Sequence, residues 1–176
     1  MNYYFWKNSR VQTIVFFAIF ILLCLLYQYP TILFLRPESI HQWRQAVCLS
    51  IELNYYQHGM HFFMPEVHHL ISDGGKSGQS AAEFPIIYYF NAFLWKIFGV
   101  KEFIPRLVNI LICLLGSFYL FKLLGKILSP TWAIMIPLLV FTSPVIAFYA
   151  NNFLIDIPAV SYTHLRAHET KANLVC

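Results

Sequence analysis

Apolar and polar positions alternate along the chain in long blocks. Val11 to Leu35 holds no charged residue, and about 20 helical residues at 1.5 Å each are enough to cross a bilayer core. A polar stretch from Arg36 to Glu83 follows and carries most of the acidic residues. Three further apolar segments come next, Phe84–Val100, Phe103–Phe121 and Ile127–Ile155. The first run is longer than a signal-peptide core and lacks a small-x-small cleavage site, so it reads as an uncleaved anchor. Phe84–Val100 is short, contains Asn91 and Lys96, and is studded with Tyr88, Tyr89 and Trp95. A helix of that kind is expected to lie along the membrane interface.

Charge then assigns sides. Lys7 and Arg10 precede the first run without acidic neighbours, and Lys122 and Lys126 stand between the last two segments. Positive residues mark the cytoplasmic side, so the amino terminus and the 122–126 turn are expected inside. Six basic and seven acidic residues then fall outside. The predicted fold class is an all-α polytopic membrane protein. Three transmembrane helices are expected, at about 11–29, 104–123 and 131–150, with juxtamembrane or interfacial helices in a large extracytoplasmic loop, 36–103. Asp156 is thereby expected to return to the same outer face as that loop.

Composition agrees: 59% of residues are apolar, 18% aromatic and only 11% charged. Such a chain is no water-soluble enzyme or disordered tail, and its net charge of +4 is too dilute for a nucleic-acid partner. Of four cysteines, Cys24 and Cys113 sit inside apolar runs, so no disulfide framework is expected. The expected setting is an integral membrane protein of the bacterial inner membrane, in contact with membrane lipid.

Within the loop, Ser39-Ile-His-Gln42 fits a capping box behind Pro37, predicting a helix from Ile40 to about Tyr56, stopped by Gly59. On it His41, Arg44 and Gln45 share a face at i, i+3 and i+4. A helix start with an Arg beside it suits a phosphate. Glu83 stands just before the aromatic helix and Asp156 just beyond a span; carboxylates so placed can act as a base or bind a divalent metal. The candidate site is therefore His41, Glu83 and Asp156 as catalytic residues, Arg44 and Gln45 as phosphate ligands, and Asp156 as the ligand of an optional divalent metal ion, with no other cofactor.

These features, in this order, resemble the amino-terminal third of a GT-C superfamily membrane glycosyltransferase. The similar branch holds the protein O-mannosyltransferases and the lipid A aminoarabinose transferase (glycosyltransferase family 39-like). The resemblance rests on His41-Gln-Trp-Arg-Gln45, Glu83-Phe-Pro85, Arg106, and Asn151-Asn-Phe-Leu-Ile-Asp156-Ile-Pro158, and covers about residues 10–158. It implies an inverting transfer of sugar from a polyprenyl-phosphate donor to a lipid, glycan or protein acceptor. In it Arg44 matches an Arg associated with the carrier phosphate, Glu83 and Pro85 match a Glu-x-Pro corner, and Asp156 matches the second acid. His41 replaces the usual acid at the start of the first motif, which leaves the base open among His41, Glu83 and Glu38.

Other readings compete. A transporter or channel fragment would carry polar residues inside its spans, and a non-catalytic assembly protein would need no chemistry at all. Gly75-Lys76-Ser77 lacks the Gly of a P-loop, since position 70 is Leu. His58, His61, His68 and His69 lack a Cys or acid at zinc-site spacing. Finally, Val160 to Thr170 reads codon by codon as a transposase-based sequencing adapter, and Asn173-Leu-Val-Cys176 matches its next constant stretch. Residues 159–176 are thus expected to be non-native. The natural chain would then be an amino-terminal piece of a longer enzyme, inactive by itself.

Overall fold

The computed structural model describes residues 9–70, 74–80 and 83–156; Lys7, Asp73, Ile157, Pro158 and the 159–176 tail lie outside the described residues. Seven helices are formed there: α1 (Ser9–Leu26), α2 (Tyr29–Ile32), α3 (Gln42–His58), α4 (Ile86–Phe98), α5 (Phe103–Leu124), α6 (Pro130–Phe141) and α7 (Pro144–Ala150). The all-α membrane class holds: α1 and α5 are long and apolar enough to cross a membrane, and α6 with α7 forms a bent pair that can count as a third. Among the described residues the one strand-like feature is an isolated bridge, Glu66 to Gln79.

The chain divides into two compact units. One gathers the described parts of Met1–Leu33, Asn109–Asn151 and Asp156–Cys176; the other comprises those of Phe34–Val108 and Asn152–Ile155.

In the first unit the core is aromatic. Phe16 stacks on Phe121 at 5.1 Å and Phe20 on Phe141 at 4.4 Å, with Cys113, Ala133, Ile134 and Leu138 buried among them. Small residues let the helices approach, and the rings fill the space between. Lys122 Nζ donates to Thr13 Oγ1 at 3.0 Å, so the start of α1 and the end of α5 share one end of the unit.

The segment expected as one span at 131–150 is broken. α6 and α7 meet at 72° because Pro144 has no N–H and pushes Ser143 into an extended conformation (φ −55°, ψ 129°). Backbone carbonyls freed by a break need donors where water is absent. Two tyrosines supply them: Tyr27 Oη donates to the Thr142 carbonyl at the break at 3.1 Å, and Tyr29 Oη to the Ala147 carbonyl in the last turn of α7 at 2.6 Å.

In the second unit α3 and α4 pack together. α4 has 13 residues, about 20 Å of helix, short of the roughly 30 Å a span needs. Its polarity is inside-out. Tyr88, Asn91, Ala92 and Trp95 are buried, whereas Ile86, Phe90, Phe93, Ile97 and Phe98 are exposed. Residues 60–70 fold onto α3 through Asn54 Nδ2 to the Glu66 carbonyl at 2.8 Å and Ser50 with His68. Gly78 closes that turn with φ +69°; a Cβ there would lie 2.5 Å from the Val67 carbonyl oxygen, so no other residue fits.

Candidate active site

The spacing of α3 sets up the site. Arg44, Cys48 and Glu52 recur every four residues and so line one face. They meet Glu83, Tyr88 and Asn91, which come from the entry to α4 and its inward face. Two polar tiers result, one above the other.

The outer tier centres on Glu83. Arg44 Nη2 donates to its Oε1 and the Tyr88 hydroxyl donates to its Oε2. Cys48 Sγ lies 3.2 Å from Tyr88 Oη. Tyr88 has one proton and gives it to Glu83, so the thiol must be the donor in that contact. Burial pushes the Cys48 thiol up to about 12. Burial likewise raises the Tyr88 phenol, with Cys48 and Glu83 adding to it. Both groups therefore stay protonated at neutral pH and can donate.

In the inner tier, Glu52 is 1% exposed. Its Oε1 accepts from Asn91 Nδ2 at 2.6 Å, while its Oε2 and Asn91 Oδ1 are buried with no hydrogen-bond partner. Burial holds the Glu52 carboxyl well above the usual carboxylate range, against the lowering effect of Asn91. A proton on Glu52 relieves the cost of an isolated buried charge.

The predicted site residues fare differently. Arg44 and Glu83, 39 residues apart in the chain, are brought into an ion pair. Gln45 is 1% exposed and its Nε2 donates to the carbonyls of Glu38 (3.1 Å) and Ile40 (3.0 Å). That engages the amide in holding the helix entrance rather than presenting it to a phosphate. His41 is exposed and forms the N-cap in a left-handed conformation, φ 61°, with no side-chain cap bond. The capping box expected at Ser39 and Gln42 does not form, because Ser39 is also left-handed at φ 65° and the helix begins at Gln42. Asp156 belongs to the first unit, where it is partly buried. Arg106, the remaining basic residue of the expected pattern, is 4% exposed; its Nη2 donates to the Leu35 and Arg36 carbonyls and its guanidinium lies 4.2 Å from the Phe153 ring centre.

Among the described residues no three His, Cys, Asp or Glu side chains gather as a metal site. The four histidines of 58–69 do not converge as such a group. Tyr88, Cys48, Glu52 and Asn91 were not among the expected site residues. Tyr88 and Trp95, expected among the interface aromatics, are instead both 2% exposed, and Trp95 Nε1 donates to the Lys101 carbonyl at 2.9 Å. The four-residue recurrence from Arg44 to Cys48 to Glu52 was the available signal.

The described helices make an apolar membrane chain with a charged, half-buried cluster beside an outward-facing apolar helix. A family model described as dolichyl-phosphate-mannose-protein mannosyltransferase matches residues 81–168, half of the 176-residue chain, and the chain belongs to that family. Glu83, Pro85 and Asp156 lie inside the matched region, and His41, Arg44 and Gln45 precede it. No curated protein matches the chain, and no solved structure does.

Proposed function

We propose that the full-length protein transfers a sugar from a polyprenyl-phosphate carrier to a lipid, glycan or protein acceptor at the outer face of a bacterial inner membrane, with inversion at the anomeric carbon. The observation that carries the reading is the Arg44–Glu83 pair: a half-exposed guanidinium and a carboxylate held side by side. An acceptor hydroxyl or amine attacks C1 of the sugar, and the C1–O bond to the carrier phosphate breaks. Arg44 stabilises the charge that develops on the leaving phosphate. Glu83, or His41 at the exposed helix entrance, takes the acceptor proton. Asp156 is the second acid of the site if the bent α6–α7 pair returns the chain to the outer face.

The exposed row Ile86, Phe90, Phe93 and Ile97 supports placing α4 along the membrane surface, with its polar seam turned to the protein. The carrier's phosphate would then stand at the depth of Arg44. Transfer of radiolabelled mannose from a polyprenyl-phosphate mannose donor into acceptor material in membrane vesicles tests the proposal. Arg44→Ala is expected to lower that transfer by about 100-fold or more, as removal of one charge-stabilising donor does elsewhere, with membrane insertion intact. Undiminished transfer in the variant would reject the assignment.

A further inference from the structure

Glu83 is fully engaged: Arg44 holds one carboxylate oxygen and Tyr88 the other. Yet Arg44 is the group that the proposed reaction gives to the carrier phosphate. Carboxylate and phosphate ask the same thing of a guanidinium, namely charge-assisted N–H bonds in its plane. The two anions also repel one another at such range. We propose that Glu83 and the carrier phosphate alternate on Arg44, and that Tyr88 is the positioning residue that keeps Glu83 in place once the guanidinium turns to the phosphate. This rests on the phosphate-binding reading of Arg44 given above.

The geometry favours such an exchange. The Arg44 side chain is 43% exposed and that of Glu83 22%, so the guanidinium is the more accessible partner. Tyr88 is 2% exposed and is itself held by Cys48. Arg44 comes from α3 and Tyr88 from α4, so breaking one bond to Glu83 leaves the other on a separate element. Before the donor arrives, the carboxylate is neutralised by a cation. Afterwards it faces the acceptor with only a neutral phenol bound, and it can accept a proton. The base is thus uncovered by the substrate it serves. A carboxylate that lost both partners in this half-buried place would incur the desolvation cost of an unpaired charge.

Binding of farnesyl phosphate to the full-length protein in nanodiscs, at fixed ionic strength, separates the outcomes. Glu83→Gln removes the competing charge and is expected to tighten Kd by about 3–10-fold, a typical coupling between contacting groups; Glu83→Ala should shift it in the same direction if the Gln variant is poorly folded. Tyr88→Phe should weaken Kd by a similar factor, and that weakening should vanish when Glu83→Gln is also present. A role confined to holding the fold would instead weaken binding in all of these variants. Unchanged or weaker binding in both Glu83 variants overturns the exchange, and an undiminished Tyr88→Phe effect in the double variant overturns the role of Tyr88. Loss of binding in Arg44→Gln keeps the phosphate reading standing in either case, whereas unchanged binding there rejects that reading and the exchange with it.

Discussion

At the scale of single residues, Glu52 is the most consequential side chain outside the proposed chemistry. It is fully buried, with one oxygen on Asn91 and the other without a partner. Its folded-state pKa lies above its unfolded value of about 4.5, so the folded chain binds more protons than the unfolded one as pH rises past that point. Its contribution to stability is therefore complete below about 4.5 and is lost as pH climbs through the folded pKa. Glu52→Gln keeps an acceptor for Asn91 Nδ2 and supplies a permanent donor. The unfolding midpoint of the variant in detergent is expected to match wild type near about pH 5 and to exceed it near about pH 8. A wild-type midpoint that rises over that range and flattens in Glu52→Gln would show that Glu52 is charged in the fold.

At the scale of elements, α4 and the α6–α7 pair carry the argument. α4 turns Tyr88, Asn91 and Trp95 inward and Ile86, Phe90, Phe93 and Ile97 outward, the reverse of a helix on a soluble domain. Nitroxide labels at 86, 90, 93 and 97 are expected to collide with oxygen more than with a water-soluble nickel chelate, and a label at the exposed Lys76 to do the opposite; a uniform preference for nickel along α4 would remove the helix from the interface. Long charge-free runs were legible because length and apolarity alone mark them. α1, α5 and α4 accordingly begin within about three residues of their expected starts. The break after Phe141 went unpredicted although Thr142-Ser143-Pro144 encodes it, since an apolar run reads as continuous unless the residue before proline is given weight. The start of α3 was misread for another reason. Gln45 binds the Glu38 and Ile40 carbonyls, and that contact sets the left-handed turn where local motif rules predict a capping box.

For the whole molecule, Arg44 and Glu83 were each legible as candidate residues because each belongs to a motif with its own chemistry, whereas their ion pair came only from the fold. The deeper partners were not. Cys48 and Glu52 look like ordinary loop-helix residues until Tyr88 and Asn91 are packed against them, and only tertiary contact makes a polar seam out of four separated side chains. Sidedness is the remaining whole-chain expectation. Single cysteines at 41 and 156, in an otherwise cysteine-free protein, are expected to react with an impermeant maleimide from the same side of sealed vesicles. Labelling at 156 from the opposite side would take Asp156 out of the reaction and leave Arg44 and Glu83 to act without it.

The reversed polarity of α4 also sets what can be made in isolation. Excised from its flanking spans, the 36–103 segment would present a strip of isoleucine and phenylalanine to bulk solvent, with its hydrophilic atoms locked within. Such a patch drives self-association, so a secreted, detergent-free version of this loop would precipitate rather than yield a tractable catalytic module, and inhibitors would have to be sought against the lipid-embedded whole.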